Sequence, residues 1–280
     1  MKTIGLVDYF IDEWHSNNYI VWIKELCEKH GYEFEVKYAW AEADTYEGKL
    51  STDAWCAKKG IEKINTLEEL CEKSDYIMIL APANPEKHLK YAETVLKYGK
   101  NTYIDKTFAP CAEEAKKIFA LGEKYATKFF STSALRYAEE LEGFSNATAV
   151  MLKGGGRSFD EYIIHQIEML VKTMGIGVES VKVFPSGKQK MCVIKYADGR
   201  CGFLEYAPSN PFVFVVEDGE DKEINKNITS PFFVNLLDHI LNFFLNGELP
   251  FEKAQTIEVI RIRDALLKAA QLPDTWIKLI

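Results

Sequence analysis

The sequence predicts an α/β protein whose first half is a Rossmann-like, doubly wound parallel sheet and whose second half is α+β with a mostly antiparallel sheet. Three observations support this. Short apolar strands alternate with helices of ten to fifteen residues up to about residue 132. Strands with few helices between them follow, and two long helices close the chain. We therefore expect domains at residues 1–132 and 133–280.

The elements of the first half follow from apolar runs and from residues that cap or break helices. Thr66 followed by Glu69 predicts a capping box at a helix start, and Gly31 and Gly99 each predict a helix end. Right-handed crossovers make the parallel sheet doubly wound. The predicted strands are Thr3–Asp8, Glu33–Trp40, Tyr76–Ala81, Asn101–Ile104 and Lys128–Thr132, and the predicted helices are Asn17–His30, Leu67–Lys73, Pro85–Tyr98 and Ala112–Tyr125.

The second half is predicted from strand-length apolar runs and from turn residues. Asp198-Gly199 stands between two of these runs, as in a tight hairpin. The predicted strands are Val178–Phe184, Met191–Tyr196, Gly202–Tyr206 and Phe212–Glu217, and the predicted helices are Phe159–Met174, Pro231–Asn246 and Glu252–Ala270. We expect the apolar outer side of this sheet to form a homodimer or homotetramer interface.

Composition argues against several classes of function. The formal net charge is −8 and basic residues form no run, which disfavours nucleic acid as a partner. No apolar run reaches the roughly 18–20 residues of a membrane helix, and no signal-peptide pattern is present. The six cysteines lack metal-ligand spacing, so no metal site is expected. Reduced cysteines and the missing leader predict a cytoplasmic protein that acts on a small molecule.

Two motifs in fixed order carry a family resemblance. The first lies within residues 66–108, where a strand end, a helix start and the next strand end supply Pro82, Asn84, His88, Gly99-Lys100 and Asp105-Lys106-Thr107. The second is the glycine-led segment of residues 154–170, with Glu161, His165 and Glu168. Together with Asn246–Pro250 before the last helix, they resemble the Gfo/Idh/MocA family of glucose–fructose oxidoreductase- and inositol dehydrogenase-like proteins.

The resemblance implies an NAD(P)-dependent oxidoreductase that moves hydride to or from a sugar, polyol or other small hydroxy compound. It implies Lys106 and His165 as catalytic residues, with Glu161 orienting His165 or contacting a substrate hydroxyl. The strand ends and the helix start would then face NAD or NADP. The residues implied at the cofactor are Asp8, Phe10, Glu42, Pro82, Asn84, His88 and Asp105.

The first strand–helix turn departs from the family pattern. The family has G-x-G-x-x-G there, and Asp8, Phe10 and Glu13 stand at the three glycine places. Carboxylates repel a diphosphate, and a phenyl ring is bulky where backbone must come close. Asp12 and Glu13 are themselves well placed at the positive end of the following helix. A ribose would meet Glu42 or Asp44 after the second strand.

The residues also suggest chemistry independently of the resemblance. A helix over Phe159–Met174 has an apolar stripe, which places Glu161, His165 and Glu168 together on the opposite face. An imidazole beside a carboxylate suits proton transfer near neutrality. Lys106 follows a parallel strand, where ligands of such sheets bind. The preceding loop, Gly154–Gly156, has the backbone freedom to approach a ligand closely.

Other candidates and other functions stay open at this point. Candidate substrate contacts are Trp14 at the first helix, Arg136 and Tyr137 past the domain boundary, and Glu168. The altered glycine turn also fits a binding or regulatory protein that has lost its cofactor. It fits equally a lyase or hydrolase that uses Lys106 and His165 for acid–base chemistry.

Overall fold

A computed structural model describes residues 1–217 and 223–279. The chain forms two compact units. The first comprises Met1–Thr132 and Leu236–Pro250, and the second comprises Ser133–Asn235 and Phe251–Ile280. The segment Leu236–Pro250 thus packs with the first unit, although the division proposed at residue 132 grouped it with the second. The assignment of one unit to a cofactor and the other to a substrate stays a prediction.

The first unit contains a six-stranded, wholly parallel sheet. Its strands are β1 (Lys2–Asp8), β2 (Phe34–Ala41), β3 (Glu62–Lys63), β4 (Tyr76–Ile79), β5 (Thr102–Ile104) and β6 (Phe129–Phe130). They lie in the order β3-β2-β1-β4-β5-β6. The strand order reverses between β1 and β4, which is where doubly wound sheets bind their ligands. The predicted Rossmann-like architecture is confirmed.

Helices connect these strands. They are α1 (Trp14–His30), α2 (Thr52–Lys59), α3 (Leu67–Lys73), α4 (His88–Val95) and α5 (Ala112–Tyr125). The cap predicted at Thr66 is present, because its hydroxyl accepts the backbone N–H of Glu69 at 3.1 Å. The sequence interpretation did not include α2. The predicted helix over residues 85–98 is α4 flanked by 3-10 turns at Pro85–Lys87 and Leu96–Tyr98.

Close packing sets the identity of one residue of β1. Ile4, Leu6 and Val7 fill the core, and Gly5 faces α3. A methyl group at Gly5 would lie 2.3 Å from Ser74 Oγ and 2.7 Å from a methyl carbon of Leu70. Glycine therefore allows α3 to lie directly on the centre of the sheet.

The second unit is built on a seven-stranded mixed sheet. Its strands are β7 (Ala149–Gly154), β8 (Val178–Ser186), β9 (Gln189–Tyr196), β10 (Cys201–Tyr206), β11 (Val213–Glu217), β12 (Glu223–Asn227) and β13 (Ile277–Lys278), in the order β12-β11-β7-β10-β9-β8-β13. The tight turn at Asp198-Gly199 joins β9 to β10 as predicted. The sequence interpretation missed β7, which pairs in parallel with β10 and makes the sheet mixed.

The two faces of this sheet differ. Helices α6 (Phe159–Met174) and α8 (Lys253–Gln271) pack with the sheet and with each other, which buries residues such as Leu152 and Leu204. Large apolar side chains that alternate with these are exposed, among them Met151 and Met191. Exposed apolar faces of this kind are typical of interfaces.

The remaining helix, α7 (Phe232–Asn246), packs with the first unit from Leu236 onward. The ring of Phe244 stacks on that of Tyr76 with centroids 4.7 Å apart. The hydroxyl of Tyr32 donates to Asp238 at 3.2 Å. The apolar face of α7 thus completes the side of the parallel sheet near β2 and β4.

Two further properties bear on the class of protein. All six cysteines are free thiols. Within the described ranges, no helix is both long and apolar enough to span a membrane.

We predict that replacing Phe244 with Ala lowers the free energy of unfolding by about 3–5 kcal/mol, the usual cost of deleting a buried phenyl ring. Phe244 is 2 % exposed, whereas its neighbour Leu245 is 52 % exposed, so Leu245→Ala is the control and should cost about 0.5 kcal/mol or less. Urea denaturation followed by circular dichroism measures both. Equal losses in the two variants would show that Phe244 is not part of the core.

Candidate functional site

The carboxyl ends of β1 and β4 are tied together by a buried carboxylate. Oδ1 of Asp8 accepts the backbone N–H groups of Tyr9 at 2.7 Å and Ala81 at 3.1 Å. Its other oxygen, Oδ2, is buried without a hydrogen-bond partner. Burial and the charge of Glu13 raise the pKa of Asp8 well above its ordinary value. Ionisation of Asp8 is therefore unfavourable, and this carboxyl lies at the point where the strand order reverses.

Glu13 caps the N-terminus of α1. Its Oε1 accepts the backbone N–H of Ser16 at 2.8 Å, and Ser16 Oγ in turn accepts the N–H of Glu13 at 3.4 Å, which completes a capping box. Burial alone would raise the pKa of Glu13, but the hydrogen bonds and charge of His15 and the N–H of Ser16 lower it. The expectation that Glu13 satisfies this helix end is confirmed.

His15 links this cap to the end of β5. Its Nδ1 lies 3.2 Å from Glu13 Oε2, and its Nε2 lies 3.7 Å from Asp105 Oδ2. Asp105 Oδ1 accepts the hydroxyl of Tyr103 at 2.9 Å. The sequence analysis did not predict that His15 bridges these carboxylates. The one sequence pattern that points to the bridge is the Glu-x-His spacing at the start of a helix. Three carboxylates, of Asp8, Glu13 and Asp105, thus surround the start of α1.

The other two side chains proposed near this turn pack against aromatic neighbours. Phe10 stacks on Tyr46 with centroids 4.8 Å apart. Trp14 is exposed and lies edge-on to Trp22, with centroids 5.7 Å apart. An exposed indole at the helix start can contact a ligand, whereas the stacked Phe10 ring holds the loop that contains Tyr46.

Glu42, just past β2, lies between two lysines. Its carboxylate oxygens bind Lys87 Nζ at 2.6 Å and Lys90 Nζ at 2.9 Å. Partial burial works in the opposite direction, but hydrogen bonds from Lys87 and Lys90 lower the pKa of Glu42 to about 2. Glu42 is therefore ionised at any physiological pH, and two cationic groups accompany it.

Residues after β4 and β5 meet through backbone carbonyl groups. Lys106 Nζ donates to the carbonyl oxygen of Pro82 at 3.1 Å. Asn84 is half-buried and donates to Glu86 at 3.0 Å. The ring nitrogens of His88 lie 3.0 Å from Phe108 O and 2.8 Å from Leu80 O. Each polar atom of this imidazole is thus in contact with a backbone carbonyl group.

His88 is fully buried, and burial lowers its pKa against the raising effect of the two carbonyl groups. A ligand would have to displace a backbone carbonyl to reach either ring nitrogen. The structure therefore gives His88 the role of holding the strand ends rather than the edge position expected from the sequence.

In the second unit, His165 on α6 is positioned by Ser133. Nδ1 of His165 lies 2.6 Å from Ser133 Oγ, and Ser133 is fully buried. The rings of Tyr162 and Phe212 flank the imidazole, with centroids 5.4 Å and 6.0 Å away. The contact with this hydroxyl fixes the plane of the ring, and the hydroxyl can either donate to Nδ1 or accept from it.

Glu161 does not have the expected place beside this ring nitrogen. Its carboxylate binds Arg157, at 2.8 Å from Nε and 2.5 Å from Nη2, on the exposed side of α6. The expected orientation of His165 by Glu161 is corrected, because Ser133 takes that position. Ser133 comes from a different segment of the chain, so helical spacing along α6 does not reveal it.

Glu168 is buried rather than on a polar face. Its carboxylate accepts the N–H of Ser133 at 3.2 Å and binds Arg136 Nη1 at 3.0 Å. Arg136 also donates to Gln255, and its guanidinium lies 3.9 Å from the centroid of the Phe251 ring. The buried pair of Arg136 and Glu168 therefore holds the backbone that carries Ser133.

Tyr137 is buried as well, and burial raises the pKa of its hydroxyl well above the ordinary value. It therefore stays protonated over the physiological range.

The glycine-led loop serves packing within the chain. A methyl group at Gly155 would lie 2.1 Å from the carbonyl oxygen of Ala207, and one at Gly156 would lie 2.0 Å from the ring of Tyr162. Gly156 also has a φ of +150°, which side chains rarely allow. These glycines thus admit neighbouring protein atoms, where the sequence interpretation expected a ligand.

Comparison with solved structures shows the fold. A probable dehydrogenase from Thermotoga maritima superposes with a TM-score of 0.81 at 13% sequence identity, over 99% of this chain and 98% of that chain. Myo-inositol dehydrogenase from Lactobacillus casei, in complex with NAD(H) and myo-inositol, gives 0.81 at 11% identity, over 100% and 97%. The scyllo-inositol dehydrogenase of the same organism, with NAD(H) and scyllo-inositol, gives 0.78 at 12%, over 99% and 99%.

Sequence comparison reaches only a short segment. The chain is 32% identical over 57 residues to the uncharacterized oxidoreductase YhhX of Escherichia coli, which is 20% of this chain and 16% of that protein. No protein-family model matches the chain.

We predict that Arg136→Met costs about 3–5 kcal/mol of folding stability, because it removes the cation that pairs with the buried carboxylate of Glu168. Arg157→Met is the matched control, since it breaks the more exposed Arg157–Glu161 pair at the start of α6 and should cost about 0.5 kcal/mol or less. Urea denaturation of both variants measures the difference. A loss in Arg136→Met no larger than in the control would contradict the holding role of the pair.

Proposed function

We propose that the protein is an oxidoreductase that transfers hydride between NAD or NADP and a hydroxyl carbon of a sugar, polyol or other small hydroxy compound. The observation that carries the proposal is the imidazole of His165, set by the buried hydroxyl of Ser133. The proposal is supported by the fold of the chain, which is shared with dehydrogenases crystallised with NAD(H) and inositols.

His165 is the proposed proton acceptor. In the proposed tautomer Nδ1–H donates to Ser133 Oγ, which leaves Nε2 free to take the proton from the substrate hydroxyl, and the buried Arg136–Glu168 pair keeps Ser133 in place. General base catalysis of this kind contributes about 10²–10⁴-fold. Tyr137 belongs to the same turn and is the further substrate contact proposed from the sequence.

Lys106 supplies the second polar group of the proposal. Its ammonium follows β5, where it can donate to the substrate oxygen and stabilise the negative charge that develops as the proton leaves. We propose Lys106 and His165 as the two catalytic residues, each within its own unit. Trp14 and Glu161 are the groups proposed to contact the rest of the substrate.

In the first unit, the end of β2 fits the ribose of a dinucleotide, whereas the turn between β1 and α1 does not fit its pyrophosphate. Glu42 is ionised at the end of β2, where an acidic residue binds the hydroxyls of a ribose. The turn between β1 and α1 does not fit a pyrophosphate as it stands, because the carboxylate of Glu13 occupies the N–H of Ser16.

This disagreement favours a second candidate function. A turn closed to phosphate also suits a non-redox enzyme, a lyase or hydrolase that uses Lys106 and His165 for acid–base chemistry. It suits as well a binding protein that retains the scaffold alone.

The proposal includes an assembly and a compartment. The exposed apolar side chains on the outer sheet face, such as Met151 and Met191, support a homodimer or homotetramer formed through this sheet. Six free thiols suit the reducing cytoplasm.

We predict that NADH or NADPH binds the full chain, seen as a change in nicotinamide fluorescence on titration. A substrate is first found by screening polyols, inositols among them, for reduction of NAD⁺ or NADP⁺. With that substrate, His165→Ala should lower kcat by about 10²-fold or more. His30→Ala, a half-exposed histidine that pairs with Asp238, is the control and should keep full activity.

Binding of neither dinucleotide up to about 1 mM, a free energy of only about −4 kcal/mol, would reject the oxidoreductase and leave the second candidate. Full activity of His165→Ala would remove the imidazole from the reaction.

A further inference from the structure

The N-terminus of α1 already holds an anion. A helix that follows the first strand of a doubly wound sheet presents backbone N–H groups and the positive end of its dipole, and these bind phosphate in such folds. Here Oε1 of Glu13 accepts the N–H of Ser16 at 2.8 Å. The group that would bind a phosphate oxygen is therefore used by a side chain of the same turn.

The cap is part of a closed set of contacts. His15 Nδ1 lies 3.2 Å from Oε2 of Glu13, so both carboxylate oxygens have partners. The side chain of Asn17 donates to Asp12 and to the backbone carbonyl of Glu13, both at 2.8 Å. Asp12 in turn accepts the N–H of Leu50 at 2.9 Å. The turn is thus closed by its own side chains on two sides.

The charges around the turn oppose a second anion. Asp105 lies on the far side of His15, with 3.7 Å between Nε2 and Oδ2. Asp8 is buried behind the turn, and the charge of Glu13 contributes to raising its pKa. A phosphate that entered beside the Glu13 carboxylate would add negative charge where burial already makes one carboxylate costly to ionise.

We propose that the Glu13 carboxylate stands in for the phosphate of a dinucleotide, which binds at this turn only by displacing it. Glu13 is then the residue that sets dinucleotide affinity. Loss of the carboxylate would free the N–H of Ser16 and the positive end of α1 to bind a phosphate. This inference rests on the proposed function, because it needs a dinucleotide to be the ligand.

The test uses the full chain, NADH and two substitutions at Glu13. Glu13→Ser keeps a helix-capping oxygen while it removes both the charge and the length of the side chain. Glu13→Gln keeps the length and removes only the charge. Glu25→Gln is the matched control, since it removes one negative charge from an exposed position of the same helix. Thermal unfolding of each variant confirms that the chain is folded.

We expect Glu13→Ser to bind NADH about ten-fold or more tightly than the unaltered chain, the size of one charge-assisted contact at a helix end. Glu13→Gln should lie between the two, and Glu25→Gln should match the unaltered chain. Nicotinamide fluorescence titration gives the dissociation constants.

The outcomes separate this inference from the function on which it rests. If the unaltered chain binds NADH and both Glu13 variants bind it equally or more weakly, the displacement inference is wrong and the oxidoreductase stands. If neither the unaltered chain nor any variant binds NADH or NADPH, the oxidoreductase is wrong and the inference falls with it. An equal gain in Glu25→Gln would assign the effect to net charge and also overturn the inference.

Discussion

The bond between the Glu13 carboxylate and the N-terminus of α1 organises the edge of the parallel sheet where a ligand is expected. It starts the helix, and through His15 it reaches Asp105 at the end of β5. Asp8 joins β1 to the end of β4 at the same edge. The strand ends are consequently connected by carboxylates and one imidazole, where a phosphate-binding turn would leave backbone N–H groups open.

In the second unit, a buried pair of opposite charges positions the imidazole of His165. Arg136 and Glu168 neutralise each other in the interior and fix the backbone of Ser133, whose hydroxyl sets the ring of His165. A buried ion pair adds little net stability, but it gives its neighbours one defined position. The imidazole of His165 is therefore held by a chain of contacts that begins in the core, which is the arrangement that proton transfer needs.

Local patterns predicted most of the fold, and long-range contacts account for what they missed. The bounds of α5 and α6 follow from apolar periodicity, and they agree with the structure to the residue. β7 was missed because it pairs in parallel with β10, a partner about fifty residues away that leaves no turn signal. Glu168 was placed on a polar face because the helix alone does not show that Arg136 covers it. The assignment of three residues of the first turn to glycine places stays a prediction, whereas the bridge through His15 could be seen only in the fold.

The pKa of Glu13 tests the central claim most directly, through the carboxyl ¹³C shift of this residue in a pH titration. The account predicts a pKa below the ordinary 4.5, because the contacts of His15 and Ser16 with the carboxylate outweigh its burial. A depressed carboxyl pKa contributes stability above the unfolded value, and that stability is lost as the pH falls through the folded value. A pKa at or above 4.5 would contradict this account, because burial would then outweigh the contacts of the carboxylate at the helix end.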